Sequence, residues 1–599
     1  MASSALMAHE VGPNPFNLKR RLHLGPNYLV ILYSPPVTRY AFELDLPPES
    51  YLEFGTGLIF DNHYNEVVKR VNSTQEGVSF LIYLEKDNRK WLIFQRFLKI
   101  PEEQESRTIN FSGHRVVLPA KGGRYRLILE TKESSGAFAF WSCPIIVPIK
   151  KEPTGIILIS LDTLRADHLS CYGYERLTSP AIDRLASEGA IFTQATSTSN
   201  WTLPAHVSLF TSTYSPHHGV MAADDRIPNH VISLAEILSR NGFFCGAITG
   251  GGFVSPKYGF DRGFDYYNEA EGSVDSINSA ELVFRAAKEW IEKNQDKDFF
   301  LFLHTYQIHS PYASPEPYRQ TFLSAQTVFE EIHLERYLGG KGAIFRSLSE
   351  AERRNIIDLY DNEIRYTDEA LIGPLLNWLK EKGLFDRLMI ILTSDHGEEF
   401  YDHGAWVHGA HLYQESIRIP LIIKFPHNWY QGERIDQIVR ITDIAPTILE
   451  VLGWKKSIPD NWHGQSLLPI LEKKEKNNRN FLADSCWLSG DLCCDPTTGL
   501  PLSVATNKGQ EKVIFNQPWN EKLKKIYQPA PQNWKIIEIY DLFRDKNEKE
   551  DLSQVRRIEI GSLFKNIESS YQLLRKLSRM KIELNKEELE KLRALGYIH

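Results

Sequence analysis

This chain of 599 residues is short of several things, and each shortage closes off a class of protein. Its six cysteines (Cys143, Cys171, Cys245, Cys486, Cys493 and Cys494) show no zinc-type spacing, and the adjacent Cys493-Cys494 reads as two reduced thiols rather than a ligand set. An excess of charge is also missing. The 69 Lys and Arg residues oppose 76 Asp and Glu, and a net charge of −7 carries no basic footprint for nucleic acid. No apolar run approaches the ~18 residues of a membrane span. The first ten residues, Met1 to Glu10, lack a basic stretch followed by an apolar core, so the expectation is a soluble protein kept inside the cell, with no signal peptide in this sequence. Internal repeats and low-complexity tracts are absent as well. What is there, 42% hydrophobic and 24% charged residues, is the composition of a globular protein, and the length calls for two or three domains.

Short β-rich runs come first: Tyr28 to Tyr33, Val78 to Leu84, Trp91 to Phe94 and Tyr125 to Glu130, separated by turn signals such as Lys121-Gly122-Gly123. They predict an antiparallel β-sandwich over 26–150, after an N-terminal segment 1–25. Its aromatics are read as packing residues before any sugar-binding role. Pro148 to Pro153 is the predicted linker. From 154 to 470, apolar strand patterns alternate with helical ones, which predicts a mostly parallel sheet with helices on both faces. Arg353 to Lys382 reads as one long amphipathic helix with Ile357, Tyr360, Ile364, Leu371 and Leu375 facing inward, kinked at Gly373-Pro374. Residues 471–599 form a smaller region. It holds the strand candidates Leu502 to Thr506 and Trp534 to Leu542, then a capped helix from Asn585.

Chemistry concentrates where apolar strands stop. Gly155 to Leu161 ends on Asp162-Thr163, and Leu388 to Thr393 ends on Ser394-Asp395-His396-Gly397. In an open α/β sheet both ends face one ligand crevice. Between them lies Asn200-Trp201-Thr202-Leu203-Pro204-Ala205-His206, where Thr202 is predicted as the N-cap of a helix with proline in its first turn. A hydroxyl there lies where backbone N–H groups and the helix dipole favour an anion.

These residues, together with Arg165-Ala166-Asp167-His168, Cys171-Tyr172-Gly173, Asp183-Arg184-Leu185-Ala186, His309-Ser310-Pro311-Tyr312 and Asp443-Ile444-Ala445-Pro446-Thr447, stand in an order that resembles the sulfatase family of the alkaline phosphatase superfamily over about residues 154 to 550. The resemblance implies an alkaline-phosphatase-like fold closed by a small antiparallel C-terminal sheet. It implies a divalent metal on Asp162, Asp395 and His396, with Thr202 as metal-bound nucleophile. It also implies that His309 contacts the ester oxyanion and that His408 takes the place of the sulfate-binding lysine. His206 replaces the family's arginine and is assigned either to orienting Thr202 or to helix packing; His403 and His411 match no family role.

The departures point to a particular branch. Sulfatases carry at position 202 a cysteine that is converted to formylglycine, which threonine cannot become. Gly250-Gly251-Gly252-Phe253 replaces the family's Lys-x-His, and Thr163 replaces a second aspartate. The site is thus less cationic and one carboxylate poorer, which suits phosphorus esters better than sulfate esters. A threonine hydroxyl needs a base or a metal to attack near neutral pH. The mixed carboxylate and imidazole set admits Zn, Mn, Mg or Ca. One metal is expected, because no second ligand pairing is visible. The function expected is a metal-dependent hydrolase of phosphoric, phosphonic or sulfuric esters acting through a covalent Thr202 intermediate. The alternatives are transfer of that group to another acceptor and a non-catalytic sulfatase-fold binding protein. The expected partner is a small-molecule, glycan or lipid-type ester.

Overall fold

The computed structural model describes residues 9–10, 19–24, 27–34, 38–59, 77–99, 109–119, 121–132, 138–148, 154–269, 277–324, 327–340, 343–485, 501–518, 535–556, 560–576 and 580–582. Its centre is one large twisted sheet. From one edge inward the strands are Arg434–Arg440, Ala190–Thr196, Arg418–Lys424, Leu388–Thr393, Gly155–Leu161, Phe299–Thr305, Phe244–Ile248 and Tyr266–Asn268. Arg418–Lys424 pairs antiparallel with both of its neighbours, and the other pairings in this set are parallel. The central strands are buried along their whole length, as their unbroken apolar runs require when helices cover both faces. Two apolar clusters divide these residues by face: Ile156 and Leu158 point to one side, Ile157 and Ile159 to the other.

The sandwich strands form where the β-rich runs stand, at Asn27–Ser34, Gly77–Lys86, Arg89–Lys99 and Gly123–Lys132. One of the two sandwich sheets is a separate five-stranded layer. The other continues the large sheet: Asn27–Ser34 pairs antiparallel with Tyr266–Asn268, giving thirteen strands in all. Trp141 fills the space between the layers, edge-on to Phe80 at 5.0 Å. The Pro148–Pro153 linker lies outside the described residues apart from Pro148, as do Cys493-Cys494 and the helix expected from Asn585. A four-stranded antiparallel sheet, Leu482–Ser485, Ser503–Lys508, Glu511–Asn516 and Ile537–Asp541, closes the C-terminal side, followed by a helix at Ile560–Lys576 that lies outside the expected elements, although Leu563, Phe564, Ile567 and Tyr571 recur at helical spacing.

Two local expectations need correction. The long helix is not simply kinked at Gly373-Pro374. Helix Glu350–Thr367 passes through a π turn at Asp368–Ile372 into helix Gly373–Glu381, with Gly373 N–H donating to the Asp368 carbonyl. Proline has no N–H to give its preceding turn, and the wider turn absorbs that loss. The inner face is the expected one at Tyr360, Ile364, Leu371 and Leu375, all buried, while Ile357 is only half-buried and its neighbour Ile356 takes the buried place. Thr202, moreover, is the first helical residue rather than the cap. Trp201 holds the extended cap conformation (φ −158°, ψ 161°), and no side chain caps the helix.

Candidate active site

Three adjacent strands bring the site together. Gly155–Leu161 lies between Phe299–Thr305 and Leu388–Thr393, in a register that sets Ser160 beside His304 on one side and Thr393 on the other. Asp162 therefore emerges just past the strand end. His304 stands level with Ser160, and Asp395 follows two residues beyond Thr393. Helix Thr202–Thr211 packs over these ends. Because Thr202 does not cap the helix, its hydroxyl is used elsewhere, donating to Asp162 Oδ2 at 3.3 Å and lying 3.4 Å from His396 Nε2.

The carboxylates and His396 have an unusual electrostatic setting. His396 donates from Nδ1 to the Gly397 carbonyl at 2.8 Å, which turns Nε2 toward Asp395 Oδ2 at 3.3 Å and Asp162 Oδ1 at 4.0 Å. Ligand atoms of Asp162, Asp395 and His396 all lie within 4.8 Å of one another, and all three residues are fully buried. Asp162 Oδ1 and Asp395 Oδ2 find no hydrogen-bond partner among the described residues. Burial pushes both carboxyls up to about 8 and the His396 imidazole down to about 3. Two buried carboxyl groups and a neutral imidazole converging, with no cationic side chain among the described residues between them, form a donor set that a divalent cation fits, since the ion supplies the positive charge that the interior denies.

The remaining expected residues gather around this core. His206, one turn along the helix, donates from Nδ1 to the Thr202 carbonyl at 2.9 Å, accepts from the Ser160 hydroxyl at Nε2 (3.1 Å), and comes within 3.5 Å of Asp395. It ties the first turn of the helix that carries Thr202 to the strand that ends on Asp162. The His408 ring stands 4.5 Å from that of His396 and 5.2 Å from that of His309. His403 and His411 turn aside, to Glu415 and to Glu399. Thr163 adopts φ +60°, and its N–H reaches Asp395 Oδ1 at 3.4 Å.

Two groups escaped the sequence reading. His304 accepts from Gly250 N–H at Nδ1 (3.4 Å) and donates from Nε2 to Asp162 Oδ2 (3.3 Å), aligning the carboxylate from behind. The Gly250–Gly252 turn, where the resemblance expects a Lys-x-His pair, thus packs its backbone against a histidine of the neighbouring strand. Glu398 holds His408, with His408 Nδ1 donating to its Oε1 at 2.9 Å. The only sequence signal for either was polarity in an otherwise apolar or turn segment.

The model of the sulfatase family matches residues 154–454, the span that carries the strands, the helix and the site just described. The chain belongs to the sulfatase family. Among curated relatives of this sulfatase-family chain, an ulvan-active sulfatase from Formosa agariphila is 23% identical over 56% of this chain and 60% of its own length. An N-acetylglucosamine-6-O-sulfatase from Bacteroides thetaiotaomicron is 22% identical over 65% of this chain and 80% of its own. Of the solved structures, the phosphonate monoester hydrolase of Agrobacterium radiobacter shares the fold at a TM-score of 0.53, with 18% identity over 72% of this chain and 98% of that one. The family is thus one of ester hydrolases. No helix among the described residues is long and apolar enough to cross a membrane.

Proposed function

We propose that this sulfatase-family protein is a metal-dependent hydrolase of phosphoric or phosphonic esters, with sulfate esters as poorer substrates, acting through Thr202. The observation that carries the reading is the position of the Thr202 hydroxyl. It lies at a helix N-terminus, 3.3 Å from Asp162 and 3.4 Å from His396, beside the Asp162, Asp395 and His396 donor set. A divalent cation held by these three residues would lower the cost of ionising the hydroxyl and neutralise charge on the ester. The protein's own groups do the rest. Asp162 Oδ2 orients the Thr202 hydroxyl and accepts its proton as the oxygen attacks. The helix N–H groups face the developing anion. His408, beside His396, and His309, beside His408, would hydrogen-bond the ester oxygens and protonate the leaving group.

The leaning toward phosphorus esters rests on position 202, which cannot become formylglycine, and on Gly250–Gly252, which brings backbone where sulfatases bring cations. Relatives named for ulvan and for N-acetylglucosamine 6-sulfate make a glycan the natural carrier of the ester. The test is a panel of nitrophenyl phosphate, phosphodiester, phosphonate and sulfate esters assayed with Zn, Mn, Mg and Ca in turn, for the native protein and Thr202→Ala. Turnover that is independent of Thr202 on every ester would refute this reading.

A further inference from the structure

Glu398 lies two residues past His396, is fully buried, and matches no role that the sequence or the family resemblance assigns. Its two carboxylate oxygens are each committed to one loop of the site. Oε1 accepts from His408 Nδ1 at 2.9 Å, and Oε2 accepts from the Tyr312 hydroxyl at 3.1 Å. Tyr312 is fixed in turn: it exchanges both backbone hydrogen bonds with Ile332, at 2.9 and 3.0 Å, and follows His309 by three residues. The backbone of Glu398 is held as firmly, its N–H donating to the Glu415 carbonyl at 3.1 Å and its carbonyl accepting from Arg165 at 3.0 Å. A carboxylate clamped at its backbone and at one oxygen leaves the other oxygen to decide how the His408 ring lies.

We propose that Glu398 is the positioning residue for His408, setting which ring nitrogen serves the ester bond. This rests on the function proposed above. With Nδ1–H given to Glu398, the opposite edge of the ring, Nε2, is the one left to act on substrate. The ring's neighbours, His396 at 4.5 Å and His309 at 5.2 Å, place it over the reaction centre. In the first half-reaction the Thr202 oxygen bonds to the central phosphorus or sulfur and the bond to the leaving oxygen breaks. The electron pair goes to that oxygen, and His408, entering the step as an imidazolium whose Nδ1–H stays on Glu398, passes it the Nε2 proton. In the second, water attacks the Thr202 ester, one of its protons passes to Nε2, and the Thr202 oxygen leaves and takes back the proton held by Asp162, so that residues and protons return to their starting state. Glu398 neither gains nor loses a proton in these steps and touches no reacting atom. The Tyr312 bond makes the same side chain the link between the His408 loop and the His309 loop.

A positioning role of this kind has a signature that simple damage to the fold lacks. Protonation of the leaving group matters most when the departing alcohol is weakly acidic. Glu398→Ala should therefore lower kcat by about 100-fold on esters of weakly acidic alcohols, a typical size for a general acid. It should change kcat far less on 4-nitrophenyl esters and leave KM unmoved. Glu398→Gln keeps an acceptor for Nδ1–H and should recover most of the loss, and it also guards against an alanine variant that does not fold. An equal loss across all leaving groups, or none in a variant that melts like the native protein, overturns the proposal.

A second measurement needs no turnover. In protein labelled with ¹⁵N-histidine, the His408 resonances, identified by their absence from His408→Gln, should report a proton on Nδ1 in the native protein and in Tyr312→Phe. The proton should be lost from Nδ1 in Glu398→Ala. An unchanged His408 tautomer in Glu398→Ala overturns the proposal whatever the activity. Turnover independent of Thr202 instead removes the proposed function and leaves the positioning question to this spectrum.

Discussion

Two buried aspartates in this protein have opposite surroundings. Asp443, in the segment after strand Arg434–Arg440, is fully buried and saturated: Arg440 reaches it with Nε and a terminal nitrogen at 3.0 and 2.7 Å, Arg479 reaches it at 3.1 Å, and the Gln465 N–H reaches it at 2.9 Å. Burial alone would push its carboxyl up, but the two guanidiniums outweigh it and hold the group below the ordinary carboxylate range. Asp395 is equally buried, with a neutral imidazole and a second carboxylate as its close neighbours, and burial pushes it up to about 8. The fold supplies its own cations around Asp443 and, among the described residues, places none beside Asp395, in the cluster that could hold a metal ion. A buried charge without a partner is costly, so Asp395 is held toward its neutral acid form unless a cation joins it.

The comparison can be broken most severely at Thr202. Thr202→Ala should cost several orders of magnitude in turnover, and Thr202→Ser should keep much more, because a primary hydroxyl still reaches Asp162 and the helix N-terminus. Melting temperatures of both variants separate chemistry from folding, and an active, slightly less stable Thr202→Ala protein would sink the mechanism.

On the structural side, Asp443→Ala should lower stability by about 3–5 kcal/mol, because it strands two guanidiniums that are nearly buried. Metal content per chain should not change. Urea unfolding together with elemental analysis checks both, and a loss of metal in this variant would erase the distinction between the two aspartates.

The reverse pattern is expected at Asp395. Asp395→Ala should abolish metal uptake while the metal-free protein stays as stable as the native metal-free protein, since one buried carboxylate has gone. For the native protein, metal at 100 times its dissociation constant should add about 2.7 kcal/mol of stability, and a chelator should remove it. Thermal melts with and without chelator report this. A full metal complement in Asp395→Ala means that the donor set is wrong.

The smallest expected effect concerns the ester. Phosphodiester or phosphonate turnover should exceed sulfate turnover by roughly tenfold or more, about 1.4 kcal/mol in barrier, for want of formylglycine and the Lys-x-His cations. A sulfatase rate higher by the same factor would show that backbone at Gly250–Gly252 serves as well as charge.

Much of the candidate site was legible in the chain. Apolar runs of strand length, each stopping on Asp162 or on Asp395-His396, are local signals, and a helix that starts around Thr202 is marked by its own proline. The family order of these motifs supplied their expected roles. His304 and Glu398 were not legible, because their importance comes from what lies across from them. His304 faces Asp162 only in the register that sets it level with Ser160, and Glu398 meets His408 only because the segment between them folds back on itself. The cap at Trp201 was misread for a related reason: Thr202 is a good local cap, but Asp162 competes for its hydroxyl and wins.

By itself, then, the sequence determined the central strands, their full burial and the residue types gathered at their ends, since apolar periodicity and turn chemistry act over a few residues. Tertiary structure alone decided that a sandwich sheet runs on into the catalytic sheet through Tyr266–Asn268. It decided that Asp443 is neutralised while Asp395 is not, and which nitrogen of each histidine faces the site. Each of these depends on atoms brought together from segments far apart in the chain, where pairing register and burial set the electrostatics that no local pattern encodes.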